Sequence, residues 1–138
     1  MGLAFSTMRV IPIDEFGRDH YSLLLYVESV CVDNAGIPAA ISMRCNAKRH
    51  PGLGSCGAWK SEWSTRLRGD KRQPRHDDWD CFLDMAACGW VRNIGTGVNP
   101  RFWLTEVGWC MAHLVRRWKA AGNQVKDFCE THNRECST

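Results

Sequence analysis

Apolar residues recur at helical spacing in three stretches of the chain and at strand spacing in one. From Asp19 to Asn34, the residues Leu23, Leu24, Tyr26, Val27 and Val30 cover a wide face. That spacing predicts the central helix of a small core, with Asp19 as its N-cap and Gly36 as its stop. Phe82, Leu83, Met85, Ala86 and, one turn on, Trp90 predict a second helix over 77–88, which Gly89 is placed to end in a left-handed conformation. Asp77 or Asp78 suits its N-cap, and Asp80 its first turn. Val91 to Leu104 reads as two short strands joined by Gly95-Thr96-Gly97-Val98-Asn99-Pro100, a run rich in turn formers. Thr105 is placed to cap a third helix over 105–121, with Glu106 in its first turn. Ile37 to Met43 is ambiguous between helix and strand. The stretch 44–76 contains Pro51, Gly52, Gly54, Gly57, Gly69 and Pro74, so it reads mostly as loop, with short ordered pieces near Trp59 to Leu67.

The order helix, Gly89-Trp90-Val91, hairpin, Leu104-Thr105-Glu106-Val107-Gly108, helix resembles the recognition helix, wing and following helix of MarR-like winged helix-turn-helix proteins. The resemblance implies an α+β fold: a small winged-helix-like domain, mainly helical, with a β-hairpin wing. It would form one domain over 1–122 with a basic loop insertion at 44–76, followed by a C-terminal tail at 123–138. Upstream, Phe16-Gly17-Arg18-Asp19-His20-Tyr21-Ser22 and Met43-Arg44-Cys45-Asn46, continuing to Arg49-His50-Pro51, resemble winged-helix-like proteins of bacteria and phages that carry no assigned activity.

Composition fits a folded domain, since 138 residues with 44% hydrophobic content and seven tryptophans can bury a real core. The longest apolar candidate, Leu23 to Val32, is interrupted by Glu28, and the first residues lack the basic head and cleavage site of a secretory signal. A cytoplasmic protein without a membrane partner is therefore expected. The eight cysteines are scattered rather than clustered. Cys31, Cys88 and Cys110 stand among apolar neighbours as small buried hydrophobes would, so mostly free thiols are expected.

Charge changes the picture more than composition does. Residues 1–43 sum to −3, residues 44–76 to +7 and residues 77–91 to −4, within an overall +3. A winged helix with a basic segment points to nucleic acid, bound through phosphate contacts from Arg66, Arg68, Lys71 and Arg72, with Arg92 and Arg101 on the wing. Trp59 and Trp63 would stack on bases or pack as core. This is the expected function: a non-enzymatic nucleic-acid-binding regulator or replication accessory of a mobile element. Against direct base readout stands the second helix, whose start carries aspartates where a groove reader needs donors. The competing expectation makes Asp77, Asp78, Asp80 and Asp84, with Trp79 as anchor, a charged surface for a basic nucleoprotein, as in a phage-encoded, anti-CRISPR-like inhibitor of a host defence complex.

Cys45 with His50, and His76 with Cys81, supply the ligand types of a zinc site, although no close Cys-x2-Cys pair is present. A buried Cys81 and surface histidines are the alternative, and no cofactor is otherwise expected. No nucleophile elbow, phosphate-binding loop or dinucleotide glycine pattern occurs, so no catalytic residue is assigned.

Overall fold

The computed structural model describes residues 10–39, 42–44, 64–96 and 100–128. These form α1 (Arg18–Asp33), β1 (Ser64–Arg66), β2 (Arg72–Pro74), α2 (Asp78–Ala87), β3 (Val91–Asn93), β4 (Phe102–Leu104) and α3 (Glu106–Ala120). Each strand pair is an antiparallel hairpin: Thr65 lies opposite Gln73 in the first, and Arg92 opposite Trp103 in the second. The architecture is α+β, with three helices and two small hairpins among the described residues.

α1 runs through the centre, touching both other helices and a strand of each hairpin. Its apolar stripe buries Tyr21, Leu24 and Val27 against Phe82, Met85, Trp90, Met111 and Val115, which form one continuous core. Phe82 lies face to face with Phe102 at 4.0 Å between ring centroids, and Trp90 meets Phe16 edge-on at 5.0 Å. Burial of this kind contributes about 25 cal/mol per Å² of apolar surface removed from water.

Glycines set both ends of α1. Gly17, its N-cap, lies so close to β1 that a Cβ would come within 2.4 Å of the Arg66 carbonyl oxygen. Asp19 is therefore not the cap; it sits inside the first turn, buried, and binds Arg66 instead. At the far end Gly36 adopts φ 79°, and its carbonyl accepts from the Phe102 N–H at 2.7 Å. Cys31 adds a thiol donation to the Phe102 carbonyl at 3.0 Å.

The second helix and its hairpin follow the sequence closely. Asp77 caps α2, accepting from the Asp80 N–H, while Asp80 accepts from the Asp77 N–H. Gly89 has the left-handed φ of 84° that ends α2, and Thr105 caps α3 by accepting from Gly108. Two features differ from expectation. Ile37, Pro38 and Ala39 lie in neither helix nor strand, whereas Ser42 lies in a 3-10 turn, and the basic segment contains the hairpin β1–β2. Its turn takes Gly69 and Asp70 through φ 75° and 63°, closed by the Leu67 N–H to the Lys71 carbonyl at 2.7 Å. Trp59, Trp63 and the tail beyond Phe128 lie outside the described residues.

Among cysteines, Cys31, Cys81 and Cys88 are free thiols, but Cys110 is disulfide-bonded. This corrects the expectation of a free thiol at Cys110; Cys110 and Cys88 are both half-buried, packed against the core rather than inside it.

Gly108 lets α3 dock. A Cβ there would fall 2.0 Å from the Trp90 carbonyl oxygen. Intrinsic propensity would make Gly108→Ala stabilising by about 1 kcal/mol. The clash with backbone predicts the opposite, a loss of about 1–3 kcal/mol, which a lowered denaturant midpoint would register. An unchanged or raised midpoint would contradict the docking geometry.

Candidate functional site

The acidic residues of α2 point inward. Asp77, Asp78, Asp80 and Asp84 are buried, and Trp79 is only 9% exposed against Phe82 and Phe102. The expected acidic contact surface with a Trp79 anchor is thus absent: the charges are absorbed by caps and partners, and Leu83, Ala86 and Ala87 form the exposed face of the helix.

Asp78 and Asp19 are held by two arginines. Asp19 Oδ2 accepts from the Arg66 backbone N–H at 2.7 Å and Asp19 Oδ1 from Arg66 Nη2 at 2.9 Å. Arg44 donates through Nη2 to Asp78 Oδ1 and through Nη1 to the Ser64 carbonyl, each at 2.7 Å, tying α1, β1 and α2 together. Burial pushes Asp19 up, but the Arg66 hydrogen bonds and Arg44 outweigh it and hold the carboxyl below its ordinary value. For Asp78 burial dominates and raises the pKa despite Arg44. Arg66 is therefore spent on Asp19, a role its placement in a basic run does not reveal.

One turn deeper lies a cluster of His20, Thr65, His76, Cys81 and Asp84, all 4% exposed or less. Residues of α2 three apart, Cys81 and Asp84, face the same way, and His76 enters from the link between β2 and α2. That link turns through Arg75, whose φ of 56° is costly for a residue with a Cβ. Asp84 Oδ1 accepts from the Ile11 N–H at 2.8 Å, and Asp84 Oδ2 lies 2.8 Å from His20 Nε2 and 3.0 Å from His76 Nε2. The Gly17 N–H donates to His20 Nδ1, so the His20 proton is on Nε2 and is donated to Asp84. His76 Nε2 is within ion-pair reach of Asp84 Oδ2 but does not meet hydrogen-bond geometry with it.

Thr65 ties His76 to β1: its hydroxyl lies 2.9 Å from the His76 carbonyl, to which it can donate, and 2.7 Å from His76 Nδ1. Cys81 Sγ lies 3.6 Å from the same hydroxyl. Burial lowers the His20 pKa although Asp84 opposes it, and burial holds the Cys81 thiol well above its ordinary value. Asp84 would also be raised by burial, but His20, the approach of His76 and the Ile11 N–H together lower it.

Of the zinc ligands expected from sequence, His76 and Cys81 do come together, while Cys45 and His50 lie outside the described residues. Sequence reasoning missed His20, Thr65 and Asp84 as their companions. The only hints were His20 in the Phe16 to Ser22 run and Asp84 three residues after Cys81.

The basic residues divide between the ends of α1. Arg68, Lys71, Arg72 and Arg75 are exposed on the first hairpin, and Arg72 donates to Ser64 Oγ at 3.0 Å. Arg92 is exposed on β3, and the half-buried Arg101 donates to the Ala35 carbonyl at 3.2 Å. The first hairpin packs against Gly17 at the start of α1, whereas Arg101 of the second reaches Ala35 just past its end, and the 16-residue helix between is about 24 Å long. The expected phosphate-contacting set is therefore two separate patches. No described helix is long and apolar enough to cross a membrane. Comparison with known protein families, characterised proteins and solved structures yields no match.

Two substitutions test this interior. Asp19→Asn should cost about 1–3 kcal/mol at neutral pH through its hydrogen bonds to Arg66. Because the folded-state pKa of Asp19 is lowered, its contribution is present above the ordinary carboxylate pKa and fades as pH falls through the folded one. Urea titrations should therefore show the wild-type advantage shrinking towards pH 3; a constant gap would refute the pairing. Asp84→Ala orphans the Ile11 and His20 donors and should cost about 2–5 kcal/mol, where a change below 0.5 kcal/mol would mean that water satisfies them.

Proposed function

We propose that this chain is a non-enzymatic, winged-helix-like nucleic-acid-binding protein that grips the phosphate backbone with its first hairpin. The observation that carries the reading is the sorting of charge: the aspartates of α2 are buried, whereas Arg68, Lys71, Arg72 and Arg75 remain exposed on one short hairpin with Asp70 as its only exposed acid. Carboxylates on the outside of α2 would have repelled a polyanion; paired inside, they do not. The order α2, hairpin β3–β4, α3 supports the winged-helix part of the reading, with Arg92 and Arg101 as a second backbone contact.

Binding of this kind reads no sequence through α2, because Leu83, Ala86 and Ala87 offer no donors to base edges. It depends on counterion release. The slope of log affinity against log salt should be steep for wild type and shallower by roughly 0.9 for each phosphate contact removed from duplex DNA. Fluorescence anisotropy with a labelled duplex and a labelled single strand measures it. Replacing Arg68, Lys71, Arg72 and Arg75 together by Gln should flatten the slope by up to about 3.6 units and leave the thermal midpoint nearly unchanged. An unaltered affinity at low salt in that variant would show a merely solvated hairpin.

A further inference from the structure

We propose that His20, His76, Cys81 and Asp84 form a buried site for a single divalent transition-metal ion of the zinc type. The donor set is two imidazoles, a thiol and a carboxylate, the ligands zinc favours. The donor atoms of His20, Cys81 and Asp84 lie within 4.8 Å of one another, and His76 Nε2 approaches Asp84 Oδ2 to 3.0 Å. Four ligands around zinc stand about 3.3–3.8 Å apart, so His20, Cys81 and Asp84 need modest adjustment, and the His76 ring, whose Nδ1 lies 3.8 Å from Cys81 Sγ, must turn to bring Nε2 into the shell.

An independent observation points the same way. His76 Nε2 is buried, has no partner in hydrogen-bond geometry, and faces a carboxylate oxygen 3.0 Å away, while Thr65 holds the other ring nitrogen. A cation shared by that nitrogen and the carboxylate oxygen, a proton or a metal ion, satisfies both. The outer contacts are those of a ligand shell: Thr65 holds the far nitrogen of His76, and the Ile11 N–H holds the far oxygen of Asp84. On binding, Cys81 releases its thiol proton to solvent. The His20 proton moves from Nε2 to Nδ1, at the expense of the long 3.4 Å contact from the Gly17 N–H.

The test uses the full-length protein, stripped with chelator and titrated with Co²⁺, whose visible bands report tetrahedral geometry and whose near-ultraviolet band reports a thiolate ligand. One equivalent should bind, with a thiolate band that Zn²⁺ abolishes and that Cys81→Ser lacks while retaining its circular dichroism spectrum. Failure of the wild type to take up metal would overturn the site, as would a thiolate band surviving in Cys81→Ser, which would place binding at other cysteines. Should Cys81→Ser not fold, His20→Asn decides: Co²⁺ affinity reduced at least about tenfold supports the site, and unchanged affinity overturns it.

Discussion

A carboxylate with 1% exposure organises this molecule. Burying Asp84 is unfavourable unless its oxygens are occupied, and the donors come from different parts of the chain: the Ile11 N–H from the segment ahead of α1, and His20 from the first turn of α1. His76, just ahead of α2, faces the same oxygen. These contacts fix the rotation of α2 about its own axis. Once Asp84 faces α1, Cys81 and Met85 turn inward with it, Phe82 reaches Phe102, and Leu83, Ala86 and Ala87 are left to solvent. A rotation by one residue would bury Leu83 and expose the carboxylate, leaving Ile11 and His20 without an acceptor.

The same constraint sorts charge. The arginines nearest the acids, Arg44 and Arg66, are drawn to Asp78 and Asp19, so part of the basic segment neutralises the interior. What stays outside is a smaller but less compensated positive surface on the first hairpin. Net charge by sequence block overstates both poles, since the acid-rich and base-rich blocks partly cancel through these ion pairs.

Local signals made much of the fold legible. Helix spacing located α1, α2 and α3, and Gly36, Gly89 and Thr105 stop or cap as their chemistry requires, because each acts on its own neighbours. Asp19 misled for a related reason: its residue type suits a cap, but Gly17 alone fits against the Arg66 backbone. The first hairpin was obscured by its turn, which uses left-handed Gly69 and Asp70 in a basic run that reads as loop. The site was least legible. Aspartates on a helix ordinarily face water, and the partners that bury Asp84 are 64 and 73 residues away, beyond any local pattern. His76 and Cys81 were visible together as ligand-type residues five apart, whereas Asp84, three residues past Cys81, read as an aspartate on a solvated helical face.

The buried cluster and the exposed basic surface are mechanically joined. β1 is three residues long, and alternation sends Thr65 inward to His76 while Ser64 and Arg66 face the other side. Arg72 is anchored to Ser64, and Arg66 is clasped by Asp19 beside His20. The hairpin that presents Arg68, Lys71, Arg72 and Arg75 is thus seated on the core through a hydroxyl that also holds the His76 ring. An apolar residue at position 65 would pack as well as threonine, but it would leave the His76 ring without its orienting contact. The polar interior therefore does more than fill space, since the side chains that hold the cluster in register also hold the hairpin on the core.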